Sequence, residues 1–155
     1  MSAPRIERIQ AETPELSRLI ALSDAYMGGL YPAESNHLES VRALLGPQAW
    51  MLGVWSAGEL IGCGAVKILH DDGEYGEIKR VFVLDGHRGK GISKAIMQAL
   101  ESHLLGLGIR VARLETGVKQ PEAIGLYRRL GYRERGVFGR YQPDPLSLFM
   151  EKTLG

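Results

Sequence analysis

Residues 88–93 combine glycine with positive charge in a way that is typical of an anion-binding loop. The segment consists of Arg88, Gly89, Lys90, Gly91, Ile92 and Ser93, and it separates a strand-like apolar run from a run with helical spacing. The first amides of a helix lack intrahelical acceptors and carry the positive end of the helix dipole. Glycine beside these amides lets a phosphate reach the backbone, and the cations add attraction. The pattern therefore predicts a pyrophosphate site.

Two well-known phosphate loops do not fit this segment. A P-loop requires Lys followed by Ser or Thr after its last glycine, but Ile92 and Ser93 follow Gly91. A dinucleotide-binding fingerprint requires a third glycine where Lys94 stands, and it follows the first strand of a βαβ unit, whereas hairpins precede this loop. A nucleotide enzyme that uses this loop stays an alternative, which ATP or NAD binding would reveal.

The elements around the loop predict a mixed α/β fold in one domain spanning residues 1–155. Thr13 and Pro14 have the residue types of a helix start, and Gly28-Gly29 indicates its end. The predicted order is β-α-α-β-β-β-α-β-α-β-β. Its strands cover residues 5–10, 49–55, 60–69, 75–84, 109–115, 132–138 and 146–152, and its helices cover 13–28, 38–45, 91–108 and 121–130. We expect a mostly antiparallel, twisted sheet of about seven strands with one β-α-β crossover and helices on both faces.

Composition narrows the partners and the compartment. The net charge is +1, from 19 Lys and Arg against 18 Asp and Glu, whereas a protein that neutralises nucleic-acid phosphates is usually more basic. The single cysteine, Cys63, cannot close an internal disulfide, and no apolar run reaches the roughly 20 residues of a membrane span. We therefore expect a cytoplasmic protein with no nucleic-acid or membrane partner. The four histidines show no metal-ligand spacing, so we expect no metal.

Two motifs resemble those of the GNAT family of N-acetyltransferases, and the resemblance extends over nearly the whole chain. The family's loop has Arg or Gln, two residues, Gly, one residue, then Gly or Ala, and here Arg88, Gly91 and Ser93 stand at those positions. Ser93 departs from the pattern but is small and keeps its N–H group. The second motif is Ala-x-x-Leu-Tyr-x-x-x-Gly-Tyr, formed by Ala123, Leu126, Tyr127, Gly131 and Tyr132.

The resemblance implies that the protein binds acetyl-coenzyme A as a co-substrate. In this family the strand before the loop and the strand after the long helix separate, and the pantetheine arm pairs with the first strand, here Val81, Phe82 and Val83. The pyrophosphate then meets the amides of residues 88–93. A bulge in the first strand frees an N–H group that polarises the thioester carbonyl. Gln120 stands near a position where many members carry an Asn that contacts the cofactor arm, although it could instead cap the helix.

Acyl transfer to an amine needs a proton acceptor for the nitrogen and a proton donor for the departing thiolate. Tyr127 matches the family's common proton donor, although it also shares a helical face with Ala123 and Leu130, as a core residue does. Glu77 is the candidate base because its separation from the loop resembles that in histone-acetylating members. It could equally form an ion pair with Lys79 or Arg80 on a solvated strand.

Glu115 and Glu34 are the rival candidates for the base. The acceptor-binding candidates come from two loops and one strand position: Tyr31, Glu34, His37, Arg80 and Tyr141. An arginine that faces the interior of a strand, as Arg80 is expected to do, needs a partner.

The resemblance predicts transfer of an acetyl group to the amine of a small molecule by direct attack in a ternary complex. One alternative is an acyl-coenzyme A sensor without catalysis. Another is a protein lysine or N-terminal acetyltransferase, whose acceptor groove is usually open and acidic, which the near-neutral charge does not favour. Homodimers are common in the family, so we expect that a homodimer could form.

Overall fold

A computed structural model of the chain describes residues 3–155. It contains a seven-stranded sheet and four α-helices within that range. The strands are β1 Arg5–Ile9, β2 Ala49–Ser56, β3 Glu59–Leu69, β4 Tyr75–Val83, β5 Val111–Gly117, β6 Arg133–Arg135 and β7 Ser147–Thr153. The helices are α1 Pro14–Leu30, α2 Val41–Leu44, α3 Ile92–Gly106 and α4 Pro121–Arg129.

The sheet has the order β1-β2-β3-β4-β5-β7-β6. Strands β4 and β5 pair in parallel, and the other five pairings are antiparallel. A parallel pair needs a long crossover connection, and α3 provides it. The expected mixed α/β fold with a mostly antiparallel sheet is therefore confirmed.

The helices cover both faces of the sheet. On one face, α3 buries Ile96, Met97, Leu100 and Leu104 against side chains of β2, β3 and β4. On the other, Leu16, Leu19 and Ile20 of α1 pack with Leu44, Met51 and Cys63.

Two strand glycines explain how closely α3 packs. A β-carbon at Gly64 would lie 2.5 Å from Ile96, and one at Gly76 would lie 2.4 Å from Leu104. Because these distances are far below van der Waals contact, a larger residue at either position would force the helix away from the sheet.

Several element boundaries differ from the sequence-based prediction. Helix α1 continues through Gly28 and Gly29 to Leu30, so the expected stop at the glycines is wrong. Both glycines lie in open space and leave the helical hydrogen bonds intact, and the Tyr31 amide closes the last turn on the Met27 carbonyl. Helix α2 begins only at Val41, with Ser40 as its cap. Helix α3 has 15 residues, which is about four turns rather than five.

Candidate active site

Strands β4 and β5 separate after a short parallel segment. Their pairing covers Gly76 to Ile78 on β4 and Ala112 to Leu114 on β5, and it ends there. The continuation of β4 pairs on its other edge with β3, and its register shifts so that two residues, Arg80 and Val81, stand opposite Gly64. Arg80 has a φ of +59°, which is uncommon for a residue with a side chain. The expected separation and the expected bulge are therefore both present, at adjacent positions.

The glycine-rich loop follows β4 and leads directly into α3. Gly89 and Gly91 have φ values of +77° and +78°, and a β-carbon at either would meet no atom within 4 Å. Gly91 is the N-cap of α3 and supplies no side-chain cap. The first amides of α3 therefore have no side-chain acceptor at their cap, and the two glycines before them leave open space, as an anion site requires.

The side chain of Arg88 packs against β4 and α1. Its Nε donates a hydrogen bond of 3.1 Å to the Val83 carbonyl. Its guanidinium carbon lies 4.8 Å from the centre of the Tyr26 ring and 5.7 Å from that of Phe82. The arginine thus fixes the end of β4 to the loop, while Lys90 and Lys94 remain exposed.

A cavity of about 90 Å³ lies where β4 and β5 separate. Seven predicted site residues line it: Tyr31, His37, Arg80, Val81, Gln120, Tyr127 and Tyr141. Glu115, a rival candidate for the base, lines it too. The cavity is not lined by Glu34, Glu77, Phe82 or Val83. Phe82 and Val83 pair with β3 beyond the bulge, and Glu34 is exposed in a loop.

Tyr127 on α4 reaches this cavity from the main core cluster. Burial and the nearby Glu115 charge raise the pKa of Tyr127 to about 12. The phenol is therefore protonated at neutral pH and can donate its proton. Its ring also packs edge-on against Tyr132, with 6.0 Å between the centroids. The side chain thus belongs to the core cluster and also lines the cavity.

Glu77 is buried behind Tyr141. Its Oε2 accepts a hydrogen bond from the Tyr141 hydroxyl and lies 3.5 Å from Lys79 Nζ. Lys79 also donates to the Tyr141 oxygen at 2.9 Å. The ion pair with Lys79 that the sequence left open is therefore present. Between Glu77 and the cavity stand Tyr141 and Lys79, which both contact its Oε2 and both line the cavity.

Glu115 lies on β5 just beyond the segment that pairs with β4. Its Oε2 accepts a hydrogen bond of 2.8 Å from the Ser147 hydroxyl on β7. Burial raises the pKa of Glu115, an effect that the Ser147 hydrogen bond and the charges of His37 and Lys79 partly offset. A carboxyl group in this setting accepts protons more readily than an exposed one.

Tyr31 connects the end of α1 with the start of α4. Its hydroxyl donates to Gln120 Oε1 at 3.3 Å and accepts from the Lys119 amide at 3.0 Å. Gln120 is the N-cap residue of α4 but makes no capping bond with its side chain. A β-carbon at Gly117 would lie 1.8 Å from the Tyr31 oxygen, so this contact needs glycine. Gly117 was not recognised from the sequence.

The loop after α1 is held over the cavity by side chains from distant segments. The Ser35 hydroxyl donates to Asp144 at 2.6 Å, and the Asn36 amide donates to the Tyr31 carbonyl at 3.2 Å. The His37 ring stands perpendicular to Tyr141, with 5.1 Å between the centroids. No local pattern marked Ser35 or Asp144, because their partnership spans 109 positions.

Arg80 has the partner that its interior position requires. Its guanidinium forms an ion pair with Asp24 on α1, and its Nε donates to the Glu39 carbonyl at 2.9 Å. The arginine thereby fastens the bulge of β4 to α1 and to the loop.

The cysteine and the potential metal ligands were also located in the structure. Burial raises the pKa of Cys63 to about 12, which makes it an inert thiol. Within residues 3–155, no three His, Cys, Asp or Glu side chains are grouped as metal ligands would be. The helices in the same range are too short or too polar to cross a membrane.

Comparison with known proteins identifies the family of this chain. Residues 16–132 match the profile of the Acetyltransferase (GNAT) family. The "IAA acetyltransferase" of Azospirillum brasilense is 46% identical over 137 residues, which cover 88% of this chain and 89% of that protein. The chain therefore belongs to the GNAT family and is an N-acetyltransferase.

Solved structures support the same assignment. A Klebsiella pneumoniae protein, provisionally named an acyl-CoA N-acyltransferase, is 36% identical with a TM-score of 0.81 and covers 98% of each chain. A GNAT family acetyltransferase from Elizabethkingia anophelis, solved with acetyl-CoA bound, has a TM-score of 0.71 at 18% identity, with 97% of this chain and 98% of that chain covered. This last likeness concerns the fold.

Proposed function

We propose that this enzyme transfers the acetyl group of acetyl-coenzyme A to the amine of a small molecule, by direct attack of the amine in a ternary complex. The observation that carries the proposal is the cavity between β4 and β5, which has the Tyr127 hydroxyl on its wall and the β4 bulge at its edge. The open amides of α3 follow at the end of β4.

The co-substrate fits this arrangement in three parts. The pyrophosphate takes the amides of residues 88–93, where two glycines with positive φ leave open space. The pantetheine arm takes the edge of β4 around Val81, which β5 leaves unpaired beyond Ile78. Gln120, at the start of α4, borders the same opening. The Elizabethkingia neighbour with acetyl-CoA bound supports this choice of co-substrate.

The size of the cavity favours a small acceptor over a protein lysine. The cavity is about 90 Å³ and lies between α1, the loop that follows it and the two separating strands. The contacts of Tyr31, Ser35 and His37 fix the loop that forms one wall of it. A protein acetylase needs an open groove that admits a lysine together with its flanking backbone.

Two groups carry the proton transfers. Tyr127 gives its proton to the departing thiolate, because its raised pKa keeps it protonated. The nitrogen loses a proton to a carboxylate, either to Glu77 through Tyr141 or to Glu115 directly.

The proposal is tested by titration calorimetry with acetyl-coenzyme A, followed by a thiol-release assay on the same sample. The acceptor panel contains amines, amino acids, polyamines and IAA, the compound in the name of the Azospirillum relative. Binding together with release supports the proposal. Binding without release from any acceptor indicates a sensor, and absence of binding refutes the co-substrate.

The variant Tyr127→Phe tests the proton donor. We expect turnover to fall by about 10²–10⁴-fold, as for the loss of a general acid, with unchanged affinity for acetyl-coenzyme A. Tyr132→Phe is the matched control, because Tyr132 is also buried on the same core but donates to Glu101 outside the cavity. It should lower stability and leave turnover unchanged. Full turnover in Tyr127→Phe removes the assigned role.

A further inference from the structure

The cations at the cavity are already paired with carboxylates. Lys79 Nζ lies 3.5 Å from Glu77 and 3.5 Å from Glu39, and Arg80 forms an ion pair with Asp24. A third cation outside the cavity, Lys67, lies 3.4 Å from Glu39. Three positive groups are thus balanced by three negative ones. The lysine and arginine at the cavity wall are therefore both engaged by carboxylates of the protein.

Glu115 is not balanced in this way. Its carboxylate lines the cavity and takes a hydrogen bond from the neutral Ser147 hydroxyl. No Lys or Arg of residues 3–155 lies within ion-pair distance of it. Burying a carboxylate without a cation is costly, and the raised pKa of Glu115 reflects that cost. Within residues 3–155, Glu115 is therefore a cavity carboxylate with no lysine or arginine ion-pair partner.

Aromatic rings surround the same position. Tyr31, Tyr127, Tyr141 and His37 line the cavity together with Glu115. Burial raises the pKa of all three tyrosines, and the Glu115 charge adds to the rise at each, so the carboxylate lies within electrostatic range of each ring. Aromatic faces attract organic cations. Rings and carboxylate together favour an ammonium group.

From this arrangement we infer that the acceptor is a primary amine with no carboxylate beside its nitrogen, and that its ammonium binds Glu115 and loses its first proton there. The inference rests on the proposed function and deepens it. An α-amino acid would bring a second carboxylate next to Glu115. Since Lys79 and Arg80 are already engaged, no lysine or arginine on the wall would compensate that charge.

The proton balance of the transfer is complete with Glu115, Tyr127 and water. The ammonium gives one proton to Glu115, which passes it to water, and the neutral nitrogen attacks the thioester carbon. As the C–N bond forms and the C–S bond breaks, the thiolate takes the Tyr127 proton. The nitrogen's second proton restores Tyr127. The products are the acetamide, the free thiol and one proton.

Three matched acceptors test the charge selection on the unaltered protein. Phenethylamine has no carboxylate, phenylalanine has one, and phenylalaninamide has a neutral group of nearly the same size. We expect kcat/KM for the amide to be within a few fold of that for phenethylamine and at least tenfold above that for phenylalanine. A higher kcat/KM for phenylalanine than for its amide overturns the inference.

Glu115→Gln tests the residue itself. We expect kcat/KM for phenethylamine to fall by about 10²–10⁴-fold, with unchanged binding of acetyl-coenzyme A and with partial recovery in Glu115→Asp. Glu59→Gln, which removes an exposed carboxylate in the β2–β3 hairpin, should behave like the unaltered enzyme. If Glu115→Gln does not fold, the three acceptors still decide the question.

The pH profile separates Glu115 from its titratable neighbours. The pKa of Glu115 depends on charges from two segments: Glu77 and Lys79 on β4, and His37 in the loop after α1. The phenols that face it from the other walls are Tyr31, Tyr127 and Tyr141. As pH falls, protonation of Glu115 should add an acid limb to kcat/KM in the unaltered enzyme and in His37→Gln. In Glu115→Gln this limb should be absent, and kcat/KM should follow only the unprotonated fraction of the amine. The same additional limb in Glu115→Gln overturns the assignment.

Failure of this inference is distinguishable from failure of the proposed function. Acetyl transfer to amines with a preference for phenylalanine refutes the inference and leaves the acetyltransferase function in place. Absence of acetyl-coenzyme A binding, or of thiol release with every amine, refutes the proposed function and the inference with it.

Discussion

Gly117 and Tyr31 offer a sharp test of how the acceptor side of the site is built. A β-carbon at Gly117 would lie 1.8 Å from the Tyr31 oxygen, 2.0 Å from Cζ and 2.7 Å from Cε1. Since ordinary contact begins near 3.4 Å, Gly117→Ala forces the ring to move by well over 1 Å. The tyrosine then loses its hydrogen bonds to Gln120 and to the Lys119 amide.

The size of the effect follows from the overpacking. Forcing an extra carbon into a packed site costs about 1–3 kcal/mol, and each kcal/mol lowers Tm by about 2–4 °C for a domain of this length. Because Tyr31 lines the cavity, the displaced ring also changes the acceptor site. We expect a lower Tm in thermal unfolding and a raised KM for the amine, with little change in acetyl-coenzyme A affinity.

A double-mutant cycle isolates the contact between the two residues. In a Tyr31→Ala background the ring is absent, so Gly117→Ala should then cost much less than in the unaltered protein. Gly136→Ala is the control, because Gly136 has open space around it. Equal costs of Gly117→Ala in both backgrounds, or an unchanged Tm, would refute this account of the site.

Two further predictions concern glycines with different roles. Gly91→Val should abolish acetyl-coenzyme A binding in calorimetry, because a side chain at φ +78° distorts the loop and covers the first amides of α3. Gly58→Val is the control, because Gly58 also has a positive φ but lies in the β2–β3 hairpin, and it should bind normally. Intact binding in Gly91→Val as well would discredit the loop as the pyrophosphate site. Gly28→Ala should stabilise the protein by about 0.5–1 kcal/mol in denaturant unfolding, since alanine is the better helix former and the site has open space. A loss of stability would mean that α1 does end at the glycines.

Much of the co-substrate side of the site could be predicted from sequence because it is local. The glycine-rich loop, the start of α3 and the position of Tyr127 on α4 depend on residues that are close in the chain. The order of strands and helices along the chain was also predicted, since the apolar period changes from two to about 3.6 at the loop. The two motifs then indicated the family by resemblance.

The identity of the carboxylate at the cavity was decided by tertiary structure. Glu77 was a candidate because its separation from the loop resembles that in histone-acetylating members. A separation along the chain does not say which way a side chain faces, and the bulge at Arg80 makes β4 irregular just before the opening. Tyr141, from a segment 64 positions away, then covers Glu77.

The contacts on the acceptor side of the site could not be predicted from local sequence patterns either. Tyr31 was a candidate on residue type, but its contacts with Gln120 and Gly117 bridge nearly 90 positions. The chain by itself determined which residues could bind a pyrophosphate and donate a proton, because backbone conformation and helix spacing are set locally. Only the separation of β4 from β5 decided that Glu115, and not Glu77, lines the space where an acceptor would bind, because burial and charge balance depend on neighbours that the fold brings together.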